Sequence, residues 1–128
     1  MNILYYTSTI NGAGKRLQEA IESVVQAENT EIYRNLESLI QRLRRPTQLL
    51  DVSILLANSR TDFLDLLSIR DLLLNLRIIL ILPDGNTETI TRGHTLFPRF
   101  LTYANSDFKD VAAVLKKMIQ KTDSKQSI

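Results

Sequence analysis

A glycine-rich stretch near the start of the chain, TSTINGAGKR over residues 7–16, has the composition of a phosphate-binding loop. It follows the apolar run ILYY and precedes a segment with helical spacing, and free N–H groups at a helix amino terminus attract anions. The nucleoside-triphosphate pattern G-x-x-x-x-G-K-[ST] requires two glycines, a lysine and a hydroxyl. Here Thr9 replaces the first glycine and Arg16 replaces the hydroxyl, so only Gly14 and Lys15 match. The stretch therefore does not predict triphosphate binding.

The same stretch leaves two other interpretations open. In the first, hydroxyl groups, backbone amides and one ammonium group hold a phosphate or a similar anion. The residues that would contact this anion are Thr7, Thr9, Asn11, Gly12, Gly14 and Lys15. In the second, the glycines only make the turn between a strand and a helix, and the lysine is a solvated helix residue. We favour the second interpretation.

The composition excludes several function classes. With 128 residues, of which 44% are hydrophobic and 23% charged, the chain suits one folded domain. It contains no cysteine and one histidine, which argues against disulfides, thiolate chemistry and a metal site of the zinc type. A net charge of +2 does not predict nucleic-acid binding. No apolar run approaches the roughly 20 residues of a membrane span, and no secretory signal is evident. We therefore expect a cytoplasmic protein with no membrane partner.

Strand-like and helix-like segments alternate five times along the chain. The strand candidates are NILYY (2–6), TEIYR (30–34), VSILLA (52–57), RIILIL (77–82) and RFLTY (99–103). The second is the most polar, as is typical of an edge strand. Asn35 is predicted to cap the second helix. The third helix is predicted to run to about Leu74, and the last to begin near Ser106 and Asp107.

Inner strands that are apolar on both faces indicate a parallel sheet covered by helices. Right-handed crossovers leave few arrangements of five such units. The predicted fold is α/β, a three-layer doubly wound parallel sheet of order 2-1-3-4-5, which is flavodoxin-like. We expect a single domain over residues 1–121 and a flexible tail over residues 122–128. Ligands of such folds bind beyond the carboxyl ends of the strands, where TSTINGAGKR lies.

Part of that stretch resembles a known flavin-binding loop. YYTSTINGAG, residues 5–14, is similar to the flavodoxin loop YYSxTGNT, with a shifted glycine. The resemblance implies an alternative function, in which a small flavodoxin-like protein binds flavin mononucleotide or another phosphate ligand after the first strand. Flavodoxins also place aromatic side chains against the flavin ring, and this chain has no tryptophan. We predict no cofactor.

A second resemblance covers the whole chain and concerns the receiver domain of bacterial response regulators. DVSILLANS is similar to the receiver's DLVLLDxxM, FLDLLSIRDL to GxELLRxIR, and RIILILPDG to PVIxLTA. The segment TLFPRFLTYANSDFKDVAAVLKKM follows the pattern LGADDYLTKPFDxEELxxxI. The resemblance is carried by hydrophobic pattern, so it implies a fold more than an activity.

Receivers need five side chains at the carboxyl edge of the sheet. These are two acidic residues that bind magnesium, an aspartate that accepts phosphate, a hydroxyl residue and a lysine. The matching positions here are Thr7 and Ser8, Ala57 or its neighbour Asn58, Leu82 or Pro83, and Tyr103. Magnesium prefers anionic oxygens, which hydroxyl groups do not supply. Neither an alanine nor an amide side chain can form an acyl phosphate.

The resemblance therefore implies a pseudo-receiver, which keeps the scaffold without the phosphotransfer chemistry. We expect no enzyme activity and no metal. Receivers present the face of the fourth helix, fifth strand and fifth helix to a partner, and a phosphorylation-independent relative would use it for a protein partner or a homodimer. The residues predicted on that face are Ile90, Arg92, Arg99, Tyr103 and Lys109. Asp84, in the turn after the fourth strand, is predicted either to cap that turn or to be solvated there.

Overall fold

Five parallel strands form one sheet, and helices cover both of its faces. The computed structural model describes the backbone of residues 1–126 and the side chains of residues 1–121. The strands are β1 (Ile3–Thr7), β2 (Thr30–Tyr33), β3 (Val52–Leu56), β4 (Ile78–Leu82) and β5 (Phe100–Tyr103). Their spatial order is β2-β1-β3-β4-β5, and every neighbouring pair is parallel. The predicted flavodoxin-like α/β fold is confirmed.

Six helices lie within residues 1–126, five in the connections between strands and one after β5. They are α1 (Ala13–Glu22), α2 (Leu36–Leu43), α3 (Arg60–Ser68), α4 (Arg70–Leu73), α5 (Thr87–His94) and α6 (Lys109–Gln126). A short 3-10 turn, Ala27–Asn29, precedes β2. Across the described residues, no helix has both the length and the apolar character that crossing a bilayer demands.

The core lies on both faces of the sheet because successive strand residues point to opposite sides. Every residue of β1, β3 and β4 is buried, whereas β2 is half-buried as the predicted polar edge strand. Tyr5 packs in the apolar cluster that includes α1 and α6 residues, and Tyr6 packs in the cluster on the opposite face. The strand pattern therefore places one tyrosine in each half of the core.

Some helix ends agree with the sequence patterns and others differ. Asn35 caps α2 as predicted, since its Oδ1 accepts a hydrogen bond from the backbone N–H of Ser38 at 2.8 Å. The third crossover, predicted as one helix to about Leu74, is broken at Ile69, whose φ of −109° and ψ of 23° lie outside the α-helical range. This break separates α3 from α4.

The last helix begins at Lys109 instead of the predicted positions near Ser106 and Asp107. The side chains of these two residues instead accept hydrogen bonds from the first free N–H groups, from Phe108 at 3.0 Å and from Lys109 at 3.0 Å. α6 continues to Gln126. Residues 127 and 128 of the predicted flexible tail lie outside the described residues, and the tail stays a prediction.

Candidate functional site

At the carboxyl edge of the sheet, neutral side chains occupy the positions that the sequence comparison matched to the functional residues of receivers. Thr7 and Leu82 end β1 and β4, Ala57 directly follows β3, and all three are fully buried. Tyr103 ends β5 and is half-buried in the cluster that contains Leu82. The register holds them side by side, because Leu82 pairs with Tyr103 and the Ala57 N–H bonds the carbonyl oxygen of Ile81 at 2.9 Å.

The hydroxyl of Thr7 is used by its own loop. Its Oγ1 donates to the carbonyl oxygen of Thr9 at 2.9 Å and accepts from the Thr9 N–H at 3.2 Å. That carbonyl lies against Gly14, where an added Cβ would come within 2.0 Å of the oxygen. Only glycine therefore allows α1 to begin so close to the loop. Tyr5 reinforces this contact by donating its hydroxyl to the Gly14 carbonyl at 2.8 Å.

The other predicted anion-binding residues also bond one another. Oγ1 of Thr9 accepts from the Asn11 N–H at 3.2 Å, and the Gly14 N–H bonds the Asn11 carbonyl at 3.0 Å. Gly12 has a φ of 52°, a conformation that favours glycine, and Lys15 is exposed. The structure thus brings the six residues into one turn, with their hydroxyl groups bonded inside it. These contacts stabilise the connection between β1 and α1. Anion binding by the same residues stays a prediction.

Arg16, at the magnesium hydroxyl position of the triphosphate pattern, connects α1 to the β5–α6 connection on the same face of the sheet. Its Nη2 donates to the carbonyl oxygen of Ala104 at 2.8 Å. Its guanidinium lies 5.6 Å from the ring centroid of Phe108, within the range of a cation–π contact. The basic residues of the glycine-rich stretch therefore include one that stabilises the packing of α1 against the β5–α6 connection.

Asp62 is a carboxylate at this edge that the sequence analysis missed. Its Oδ2 accepts hydrogen bonds from the Ser8 hydroxyl at 2.7 Å and from the Asn58 N–H at 3.2 Å. Its own N–H donates to Oγ of Ser59, the N-cap of α3, at 3.1 Å. The signal was present as Ser-x-x-Asp in residues 59–62, a capping-box pattern. Asp62 thus joins the loop after β1 to the start of α3.

The donor set at this edge does not fit the magnesium site of a receiver. Such a site needs several anionic oxygens, whereas Thr7, Ser8 and Ala57 offer none. Asp62 contributes a single carboxylate that already accepts two hydrogen bonds. Among the side chains of residues 1–121, no three from histidine, aspartate and glutamate are grouped so that they could hold a metal ion.

Asp84 caps the turn after β4, as predicted. Its Oδ1 accepts the Asn86 N–H at 3.0 Å. This backbone hydrogen bond, with a smaller contribution from Thr89, lowers the pKa of the Asp84 carboxyl below its ordinary value. The turn therefore favours the charged form of the Asp84 carboxylate, and this side chain stabilises the turn.

The third crossover contains two helices, α3 and α4, so the helices predicted as the fourth and fifth are α5 and α6 in the structure. The predicted partner face is therefore formed by α5, β5 and α6. Ile90 packs partly against the core, and Arg92 forms an exposed ion pair with Glu88 at 3.4 Å. Arg99 is exposed beside β5. Lys109 is placed differently, since it lines the groove of about 360 Å³ that α6 forms with α1.

An exposed aromatic residue that the sequence analysis did not single out lies beside this face. Phe97, between α5 and β5, is 72% exposed and has a φ of 52°. Polar residues and glycine are typical of a connection between a helix and a strand, and the hydrophobic pattern did not single out Phe97. Its exposure and its backbone conformation, neither of which the residue type indicates, distinguish Phe97 from a core residue.

Comparison with known proteins finds similarity to a solved structure and no matching protein family. No protein-family model matches the chain, and no curated protein matches it. A solved structure from Burkholderia pseudomallei, described as a "putative pilus assembly-related protein", superimposes with a TM-score of 0.67. The two chains are 13% identical over 92% of this chain and 88% of the other. The likeness shows the fold alone. It agrees with a receiver-like α/β arrangement and says nothing about the residues at the carboxyl edge.

Proposed function

We propose that this chain is a phosphorylation-independent pseudo-receiver that acts as a protein-interaction and regulatory module. In this proposal it has no enzyme activity, works in the cytoplasm and meets its partner through α5, β5 and α6. One observation carries the proposal: the sheet has the receiver order, yet buried neutral side chains occupy the edge where phosphotransfer would take place. The role named for the solved structure with the same fold, pilus assembly, is compatible with a module that binds proteins.

The loss of chemistry at the edge is argued from what each group can do. Magnesium-assisted phosphotransfer needs a carboxylate nucleophile and anionic metal ligands. Thr7 and Ala57 supply neither, and both are sealed in the core. The Ser8 hydroxyl and the Asp62 carboxylate are bonded to each other. When the edge carries no phosphotransfer chemistry, the outer surface of the domain is the part that a partner can recognise.

The face itself supports protein binding. β5 is an edge strand, so one side of its backbone has no neighbouring strand within the described residues. Arg92 on α5 and Arg99 directly before β5 are both exposed. Exposed arginine is enriched at protein interfaces. The alternative, a flavin or phosphate ligand at the first loop, gains no support from contacts that bond Thr7 and Thr9 within that loop.

The experiment is affinity capture from native lysate with the full chain as bait. The test variant is Arg92→Glu with Arg99→Glu, and the control variant is Arg44→Glu with Arg45→Glu, which changes the net charge equally at exposed residues after α2. We expect a partner that is recovered by the original protein and the control, is lost with the test variant, and is recovered equally with and without acetyl phosphate. Recovery that is equal for both variants, or that depends on acetyl phosphate, would contradict the proposal.

A further inference from the structure

A groove of about 360 Å³ lies between α1 and the start of α6. Both helices pack on the same face of the sheet, since Leu17 of α1 and Val111 of α6 belong to one apolar cluster. The groove is lined by the half-buried Ala20 and Ala112 and by the buried Phe108, which give it an apolar floor. A groove with an apolar floor between two helices is a surface on which another protein element can pack.

Charged side chains of both signs line the two walls of this groove. The α1 wall carries Arg16 and Glu19, and the wall at the start of α6 carries Asp107 and Lys109. Two cations and two anions leave the lining with no net charge at neutral pH. The groove therefore favours a partner that also carries both signs.

The domain itself uses these four charges to different extents. The guanidinium of Arg16 donates to the carbonyl oxygen of Ala104 at 2.8 Å. Lys109 Nζ lies 3.9 Å from Asp107 Oδ2, and the two side chains are 89% and 68% exposed, so this pair contributes little. The exposed Glu19 carboxylate has no ion pair among the side chains of residues 1–121. Glu19 and Lys109 are thus the charges left for a partner, one on each wall.

A two-fold axis along the groove makes the two walls complementary. α1 and α6 each follow the carboxyl end of a strand and pack back along the same face, so they run in the same direction. Rotation about an axis parallel to both helices keeps that direction and places the α1 wall of one copy against the α6 wall of the other. Glu19 then meets the second copy's Lys109, and the contact forms twice because the interface is isologous. The two apolar floors face each other between these pairs.

We infer that a second copy of this chain occupies the groove, with Glu19 of each copy paired with Lys109 of the other. This homodimer goes beyond the proposed function, which concerns a different protein bound at another face. An acidic or a basic segment would place like charges together on one of the walls, whereas a second copy matches both signs. Arg92 and Arg99 of the proposed partner face do not line the groove, so the two surfaces are tested with different residues.

The test is the mass of the full chain in solution, measured by sedimentation equilibrium at protein concentrations into the high micromolar range. We expect the original protein to show a monomer–dimer equilibrium. Glu19→Lys and Lys109→Glu each place like charges in both pairs, so each is expected to raise the dissociation constant of the dimer at least about tenfold. The controls are Glu37→Lys on α2 and Arg70→Glu on α4, at exposed residues of helices that pack on the opposite face. Both controls are expected to keep the original dissociation constant.

Combining the two charge reversals separates the pairing from a loss of folding. In an equal mixture of the Glu19→Lys and Lys109→Glu proteins, a dimer with one copy of each has opposite charges in both pairs. The double variant also has opposite charges in both pairs, with the signs exchanged. We therefore expect the mixture and the double variant to dimerise with dissociation constants within about threefold of the original.

Several outcomes would overturn this inference. They are an original protein that stays monomeric over the whole range, single variants that dimerise as tightly as the original, controls that weaken the dimer equally, and a mixture and double variant that both stay monomeric. None of these outcomes bears on the proposed partner face. Conversely, equal capture of a partner by the Arg92 and Arg99 variant and its control would overturn the proposed function and leave the dimer result intact.

Discussion

The Ser8 hydroxyl lies 2.7 Å from Oδ2 of Asp62, although 54 residues separate the two in the chain. The same carboxylate oxygen accepts the Asn58 N–H at 3.2 Å. A carboxylate at this edge of a receiver would be expected to hold a metal ion. Here it holds together the loop after β1 and the start of α3, which makes it a structural residue.

Removal of the Asp62 carboxylate is expected to destabilise the domain. Asp62→Ala removes the acceptor of the exposed Ser8 hydroxyl and Asn58 N–H, and water replaces it only in part, so the free energy of unfolding falls by about 0.5–1.5 kcal/mol. Asp65→Ala, one turn further along α3, is the control, because no hydrogen bond or ion pair involves the Asp65 side chain among the described residues. Urea denaturation measures both. An equal loss in the two variants would mean that the Asp62 contacts contribute nothing specific.

Two serines are expected to give opposite results when replaced by alanine. Ser53 lies in β3, is 1% exposed, and its Oγ has no hydrogen-bond partner. Since a buried unpaired hydroxyl is costly, Ser53→Ala is expected to raise the free energy of unfolding by up to about 1 kcal/mol. Ser59 caps α3, so Ser59→Ala is expected to lower it by about 1 kcal/mol. Urea denaturation compares the two, and a loss of stability in Ser53→Ala would contradict the assignment of an unpaired hydroxyl.

The ion pair between Glu31 and Arg42 predicts a pH dependence of stability. Arg42 Nε lies 2.7 Å from Glu31 Oε1, and this hydrogen bond lowers the pKa of Glu31 below its ordinary 4.5. A lowered pKa in the folded state adds stability above pH 4.5 that is lost as the pH falls through the folded value. The Glu31 side chain is 40% exposed, so solvent screening keeps the effect small.

Glu31→Gln tests this dependence and keeps an acceptor for Arg42. We expect lower stability than the original protein at neutral pH and a shallower decline below pH 4.5. Thermal unfolding measured across an acidic pH series gives both quantities. Glu37→Gln, on α2 with no ion pair among the described residues, is the control and is expected to follow the original curve. If Glu31→Gln followed that curve too, the pair would have no effect on stability.

The fold was predictable because hydrophobic pattern and strand order are set by many residues at once. The buried runs of β1, β3 and β4 are apolar on both faces, which only a covered parallel sheet accommodates. Single positions were less predictable. The break at Ile69 lies inside a run of helix-forming residues, and nothing local marks it.

The residue types at the candidate site could be found from the sequence, whereas their contacts could not. Thr7, Ala57 and Leu82 were singled out from the sequence, and the structure buries all three at the carboxyl edge of the sheet. The contact between Ser8 and Asp62 depends on two loops that meet only in the folded chain. The exposure of Phe97 likewise depends on a backbone turn, because its residue type alone suggests burial.

The most direct test of the chemically silent edge is the intact mass of the purified full chain after incubation with acetyl phosphate and Mg²⁺. An active receiver domain in the same incubation is the control, since it must gain one phosphoryl group. The account predicts that this protein keeps its original mass while the control gains that group. A stable phosphorylated product, located by fragmentation at Asp62, Asp84 or any residue of the carboxyl edge, would contradict it.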